Sequence, residues 1–191
     1  MSSLPKTFLT EAEYLALERR AERKSEFYQG EMFAMAGASP RHSLVVTNIV
    51  GELSQQVKGR PCYVYSNDLR LRISPTGLYT YPDVMVLRGS PQYTDDQKDT
   101  LLNPAVIIEV LSDSTADYDR GRKFHHYRTL PSLAEYLTVA QDAPHIEHYV
   151  RQPENRWLLT EYDGPAQSVQ LASIDCVLAM AEVYDKVLAP S

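Results

Sequence analysis

Cysteine is scarce in this chain: Cys62 and Cys176 are the two present in 191 residues. They stand in no C-x-x-C spacing, which excludes a disulfide framework and a thiolate zinc site and makes a reducing cytoplasm the expected setting. Glycine is sparse as well, at 8 residues. None of these forms a Walker or dinucleotide loop, and G-x-S-x-G is absent, so nucleotide-binding, serine-hydrolase and organic-cofactor readings find no support. No run of about 18 apolar residues occurs, and Met1 to Thr10 lacks the apolar stretch of a signal peptide, so neither membrane spanning nor export is expected. Basic charge is outnumbered too. Lys and Arg total 19 against 25 Asp and Glu, a net charge of −6, the wrong sign for a protein that coats nucleic acid by charge alone. An acidic balance still admits a nucleic-acid enzyme, because carboxylates that hold metal ions add negative charge while positive charge is supplied locally.

What is present reads as one globular domain over residues 1–191. Hydrophobic residues make up 43% and charged residues 23%, enough to bury a core, and no linker or internal repeat divides the chain. Thr10-Glu11-Ala12-Glu13 forms a capping box and predicts a first helix. Ser25 to Gln29 and Glu31 to Met35 predict a hairpin around Gly30. Ser39 as N-cap, Pro40 at the first position, and Val45, Val46, Ile49, Leu53 and Val57 at helical spacing predict a second helix ending near Gly59. Strands are expected at Tyr63 to Tyr65, Leu69 to Ile73, Asp83 to Leu87 and Ala105 to Leu111, with a mobile loop over Arg88 to Asn103. Ser112 to Thr115 is rich in N-cap residues, and Asp117 to Leu130 follows as a helix stopped by Pro131. Leu133 to Val139, His145 to Val150 and Arg156 to Tyr162 predict further strands, and a last short helix is expected within Ile174 to Lys186. The order implies a mixed sheet flanked by helices, an α/β fold.

The chemistry turns on Glu109, a carboxylate inside the aliphatic run Val106 to Leu111. Burying it costs several kcal/mol, roughly, unless it is paired, coordinates a cation or sits at an open sheet end. Asp83 in the other central strand and Glu31 in the hairpin could join it at one sheet edge and offer the hard oxygen ligands that Mg²⁺ or Mn²⁺ prefers. The alternative is an ion pair of Glu109 with Arg70 or Arg72. Lys123 stands one or two turns into the following helix and could point back at the strand end; the alternative is a solvated Asp119–Lys123 pair worth about 0.3–0.5 kcal/mol. Arg120, Arg122 and Arg128 give local positive ground for a phosphodiester backbone.

Tyr28-Gln29-Gly30-Glu31, Ser39-Pro40-Arg41-His42, Asn67-Asp68-Leu69-Arg70-Leu71, Tyr81-Pro82-Asp83-Val84, Ile108-Glu109-Val110-Leu111-Ser112 with Ser114-Thr115, and Asp119-Arg120-Gly121-Arg122-Lys123 with Tyr127 follow one another in the chain. This succession, from about Glu11 to Val150, resembles the Uma-type endonuclease family of the PD-(D/E)XK nuclease superfamily. The resemblance implies a restriction-endonuclease-like fold, with Pro82-Asp83 as the PD element and Glu109 as the second acid. The superfamily lysine would stand two residues after that acid, where this chain has Leu111; Lys123 looks like the migrated lysine and Glu31 like an additional early carboxylate.

On this reading Glu31, Asp83 and Glu109 hold Mg²⁺ or Mn²⁺, and Lys123 orients the attacking water or neutralises charge on the phosphoryl group. DNA is the implied substrate, with dimerisation expected by analogy. His42, in the first turn of the second helix, is a secondary candidate that touches a phosphate or merely packs or caps, and Arg120 and Arg122 are further candidate substrate contacts. Tyr127, four residues beyond Lys123, braces it or touches substrate, and Asp68 is a bulge residue or a family position. His125-His126 and His145-x-x-His148 point in different directions on a helix and on a strand, so neither pair suggests zinc. The competing reading is a noncatalytic protein that keeps the nuclease fold for nucleic-acid binding or assembly.

Overall fold

The structure, a computed structural model, describes residues 8–112 and 116–188; Ser114-Thr115 of the motif series lies outside them. The Thr10 capping box closes from both sides and opens α1 over Glu11–Glu18. The hairpin forms as β1 (Ser25–Tyr28) and β2 (Glu31–Ala34) around Gln29 and Gly30, whose φ values of 49° and 85° are those of a tight turn that matches strand twist. Helix α2 covers Pro40–Gln56, with the Ser39 hydroxyl accepting the His42 N–H at 3.1 Å. The strands that follow are β3 (Cys62–Ser66), β4 (Arg70–Ile73), β5 (Leu78–Thr80), β6 (Val84–Arg88), β7 (Thr100–Leu101) and β8 (Val106–Leu111). Next come α3 (Ala116–Tyr118), a π-helical segment over Asp119–Lys123, and α4 (Phe124–Tyr127). The chain closes with β9 (Glu135–Ala140), β10 (His145–Gln152), β11 (Arg156–Asp163), β12 (Ser168–Leu171), β13 (Cys176–Ala179) and α5 (Met180–Val183).

The strands divide among a six-stranded sheet ordered β11-β10-β9-β8-β6-β3, a five-stranded sheet ordered β2-β1-β5-β4-β7, and the β12-β13 hairpin. In the larger sheet β8 runs parallel to β9 and antiparallel to β6, so it is central and buried along its whole length. Its alternation sorts the two faces. Ile108 and Val110 join the core under α2, where Val45, Ile49 and Leu53 pack with β12, β13 and α5. Ile107 joins the opposite core with Leu71, Ile73, Tyr127 and Tyr136, and Glu109 points to that second side.

The α/β architecture of mixed sheets flanked by helices is the one expected, with departures in its details. A single sheet was expected and several form. The segment Arg88 to Asn103 is pinned: Arg19 binds Asp95 and Asp99 at 2.7 Å each, and β7 pairs with β4. The helix after Glu109 is interrupted by π geometry, with the Phe124 N–H bonded to the Asp119 carbonyl five residues back.

Candidate active site

Pro82 has no N–H to continue a ladder, and Asp83 follows it at the edge of β6. Asp83 Oδ2 accepts the Val110 N–H at 2.8 Å and lies 3.1 Å from His42 Nε2. Glu109, 2% exposed, comes alongside from β8, its Oε2 3.4 Å from the Asp83 N–H. Its Oε1 accepts the Tyr127 hydroxyl at 2.6 Å and Lys123 Nζ at 3.2 Å. Arg70 is committed to Thr100, Tyr81 and Asp99 and Arg72 to Glu11, so the cation paired with Glu109 is Lys123.

Lys123 is itself buried and shared. Its Nζ lies 3.1 Å from Asp119 Oδ1, 3.2 Å from Glu109 Oε1 and 3.4 Å from Glu26 Oε1. Glu26 is held by the hydroxyls of Tyr118 and Thr80. Burial alone would drive the ammonium toward neutrality, but Glu109, Asp119 and Glu26 outweigh it and raise its pKa well above the usual lysine value. Burial, reinforced by Asp119 and Asp83, pushes Glu109 up to about 8 against the pull of Lys123 and the Tyr127 hydrogen bond. Desolvation also opposes charging of His42, yet Asp83 prevails and its pKa is raised.

These groups face a cleft of about 770 Å³. Arg23, Lys24 and Phe33 to Ala38 line it together with His42, Asp83, Glu109, Asp119 and Lys123. Among the described residues, the carboxylates of Glu26, Asp83, Glu109 and Asp119 gather around Lys123 and His42. A buried cluster so short of positive charge suits a divalent cation, and Asp83 beside Glu109 offers oxygen donors of the kind Mg²⁺ and Mn²⁺ take.

Asp83, Glu109, Lys123 and His42 are brought together as expected; Glu31 is not. The hairpin register sets Glu31 opposite Tyr28 beside the turn, on edge strand β2, whereas Glu26 lies two residues further from the turn in β1. Glu26 is thus the hairpin acid in the cleft, and the sequence signal for it was a charge flanked by Phe27 in a strand that must pack. Tyr127 is fully buried, so it braces Glu109 and cannot touch substrate. Arg120 is engaged by Glu147 at 2.8 Å, and it and the exposed Arg122 lie outside the cleft lining. Asp68 binds Lys24 at the surface. Asp119, read as a surface partner of Lys123, is buried with it.

A family model described as Uma2, "Putative restriction endonuclease", matches residues 11–181. Among similar proteins, the uncharacterized protein sll1609 of Synechocystis sp. is 41% identical over 164 residues, covering 86% of this chain and 93% of its own length. A second Synechocystis protein, slr1290, is 34% identical over 184 residues, covering 95% and 94% respectively. A crystal structure titled as a putative nuclease belonging to DUF820, from Anabaena variabilis, superposes with a TM-score of 0.75 at 20% identity, covering 94% of this chain and 99% of that one; it shares the fold. Sequence match and architecture agree, and the chain belongs to the Uma2 family of restriction-endonuclease-like proteins.

Proposed function

We propose that the chain is a metal-dependent endonuclease that hydrolyses phosphodiester bonds of DNA. The observation that carries this reading is the convergence of Asp83, Glu109 and Lys123 in one cleft, with more carboxylates than cations around them. Asp83 and Glu109 would hold Mg²⁺ or Mn²⁺, which when bound supplies Lewis-acid polarisation of the phosphoryl group and a water acidic enough to attack near neutral pH. His42 fixes the Asp83 carboxylate through Oδ2, and Tyr127 fixes Glu109 through Oε1. Lys123 places its charge beside Glu109, where it opposes negative charge developing on the scissile phosphate. Glu26 and Asp119 keep that amine protonated and aimed. Arg23 among the cleft-lining residues supplies local attraction for a phosphate backbone despite the negative total charge.

The test is cleavage of single- and double-stranded DNA with Mg²⁺, Mn²⁺ or EDTA. Cleavage is expected with metal and absent in EDTA, and Asp83→Asn should lower the rate by roughly 10²-fold or more without changing the melting profile. Cleavage in EDTA, or a folded Asp83→Asn protein with the wild-type rate, contradicts the proposal. A wild-type chain that binds DNA in every condition and cuts in none would favour the noncatalytic reading.

A further inference from the structure

Strands β10 and β11 pair with His145 opposite Asp163 and Glu147 opposite Glu161. Strand alternation places His145 and Glu147 on one face, and the pairing adds Glu161 and Asp163 to it. There one ligand atom from each of His145, Glu147 and Glu161 lies within 4.8 Å of the others. His145 Nε2 is 4.0 Å from Glu147 Oε1. The imidazole is already oriented: Nδ1 lies 2.7 Å from Asp163 Oδ1, an acceptor for its proton, and Nε2 is the nitrogen turned toward Glu147. Glu147 is oriented as well, by Arg120 at Oε1 and by the hydroxyls of Thr138 and Tyr149 at Oε2, which leaves one lone pair on Oε1 to face the imidazole. A histidine whose second nitrogen donates to a carboxylate, next to a carboxylate that itself accepts hydrogen bonds, is how proteins prepare metal ligands. Glu147 and Glu161 are moreover like charges set directly opposite in a ladder, and the single guanidinium on Glu147, from Arg120, leaves their combined charge negative.

We propose that His145, Glu147 and Glu161 form a second divalent-cation site, distinct from the Asp83–Glu109 cleft, which ties β10 to the edge strand β11. One imidazole with two carboxylates selects a Zn²⁺-type ion over the all-oxygen preference of Mg²⁺. The site lies on the Glu109 side of the sheet, since Glu109 pairs with Thr138 and Thr138 with Glu147. Two strand spacings of about 4.8 Å therefore separate Glu109 from Glu147, and Arg120 links the site to the π-helical segment that carries Lys123.

The test is Zn²⁺ titration against a chromogenic chelator, with thermal melting, in the Asp83→Asn/Glu109→Gln double variant. That protein is expected to keep one equivalent of Zn²⁺ and a rise in Tm on adding it. Introducing His145→Ala should abolish both while leaving the melt in EDTA unchanged, and Glu161→Gln, at an exposed position, should weaken binding by roughly tenfold or more. A double variant that binds no Zn²⁺, or binding that survives both His145→Ala and Glu161→Gln, overturns the proposal.

Discussion

At the scale of single residues, the fate of Glu109 decides the chemistry. Its pKa rises from 4.5 to about 8 because burial penalises the carboxylate more than Lys123 relieves it. Between those two values the folded chain binds a proton that the unfolded chain has lost, so stability without metal falls as pH rises. His42, also raised, contributes in the same sense. Urea unfolding in EDTA at about pH 5 and about pH 8 should show this decline, and Glu109→Gln should flatten it; an equal decline in the variant would contradict the assignment. Lys123 answers to a different constraint. Removing it leaves Glu26, Glu109 and Asp119 without their shared cation, so Lys123→Ala should cost about 3–5 kcal/mol, and activity is better tested at Asp83. Glu109 was legible in the sequence because a charge inside an aliphatic run has to be compensated. The choice of Glu26 over Glu31 was not, since both acids lie in the same hairpin and only its register on β5 decides which one reaches Lys123.

At the scale of elements, the local signals were readable wherever a side chain caps or turns its own backbone. Thr10 and Ser39 open their helices, and Gln29-Gly30 closes the hairpin. The short strands β5 and β7, of 3 and 2 residues, were hidden because they take their order from the distant strands β1 and β4, and the β12-β13 hairpin because its order comes with packing into the core under α2. The π-helical segment was hidden as well, since its wider turn pays off only in tertiary contacts: the Tyr136 hydroxyl donates to the Asp119 carbonyl, and Asp119 and Lys123 are both buried against the sheet. The hairpin that carries Glu26 gives a sharp test. Gly30 has φ +85° and a Cβ there would come within 2.6 Å of Phe8, whereas Gly59 has φ +74° and open space around it. Both alanine variants bear the left-handed backbone penalty of about 1–2 kcal/mol, and Gly30→Ala bears the crowding in addition. Chemical denaturation should therefore rank Gly30→Ala as clearly the more destabilised, and equal losses would refute the turn geometry.

At the scale of the whole molecule, the candidate site belongs to no single layer. Glu26 comes from the five-stranded sheet, Asp83 and Glu109 from facing ends of the interior strands β6 and β8 of the six-stranded sheet, and Asp119 and Lys123 from the segment that follows β8. Its geometry exists only when these layers are docked, so a cation bound there should stabilise the fold as a whole. The same reasoning explains why a chain of net charge −6 belongs to a nuclease-like family: part of its acid excess is gathered where a metal would neutralise it. No described helix is long and apolar enough to cross a membrane. The most direct test of the account is Mg²⁺ binding followed by calorimetry at neutral pH in the wild-type, Glu31→Gln and Glu109→Gln proteins. Wild-type and Glu31→Gln chains should bind alike, and Glu109→Gln should bind roughly tenfold more weakly or worse. Unchanged affinity in Glu109→Gln, or a comparable loss in Glu31→Gln, would contradict it.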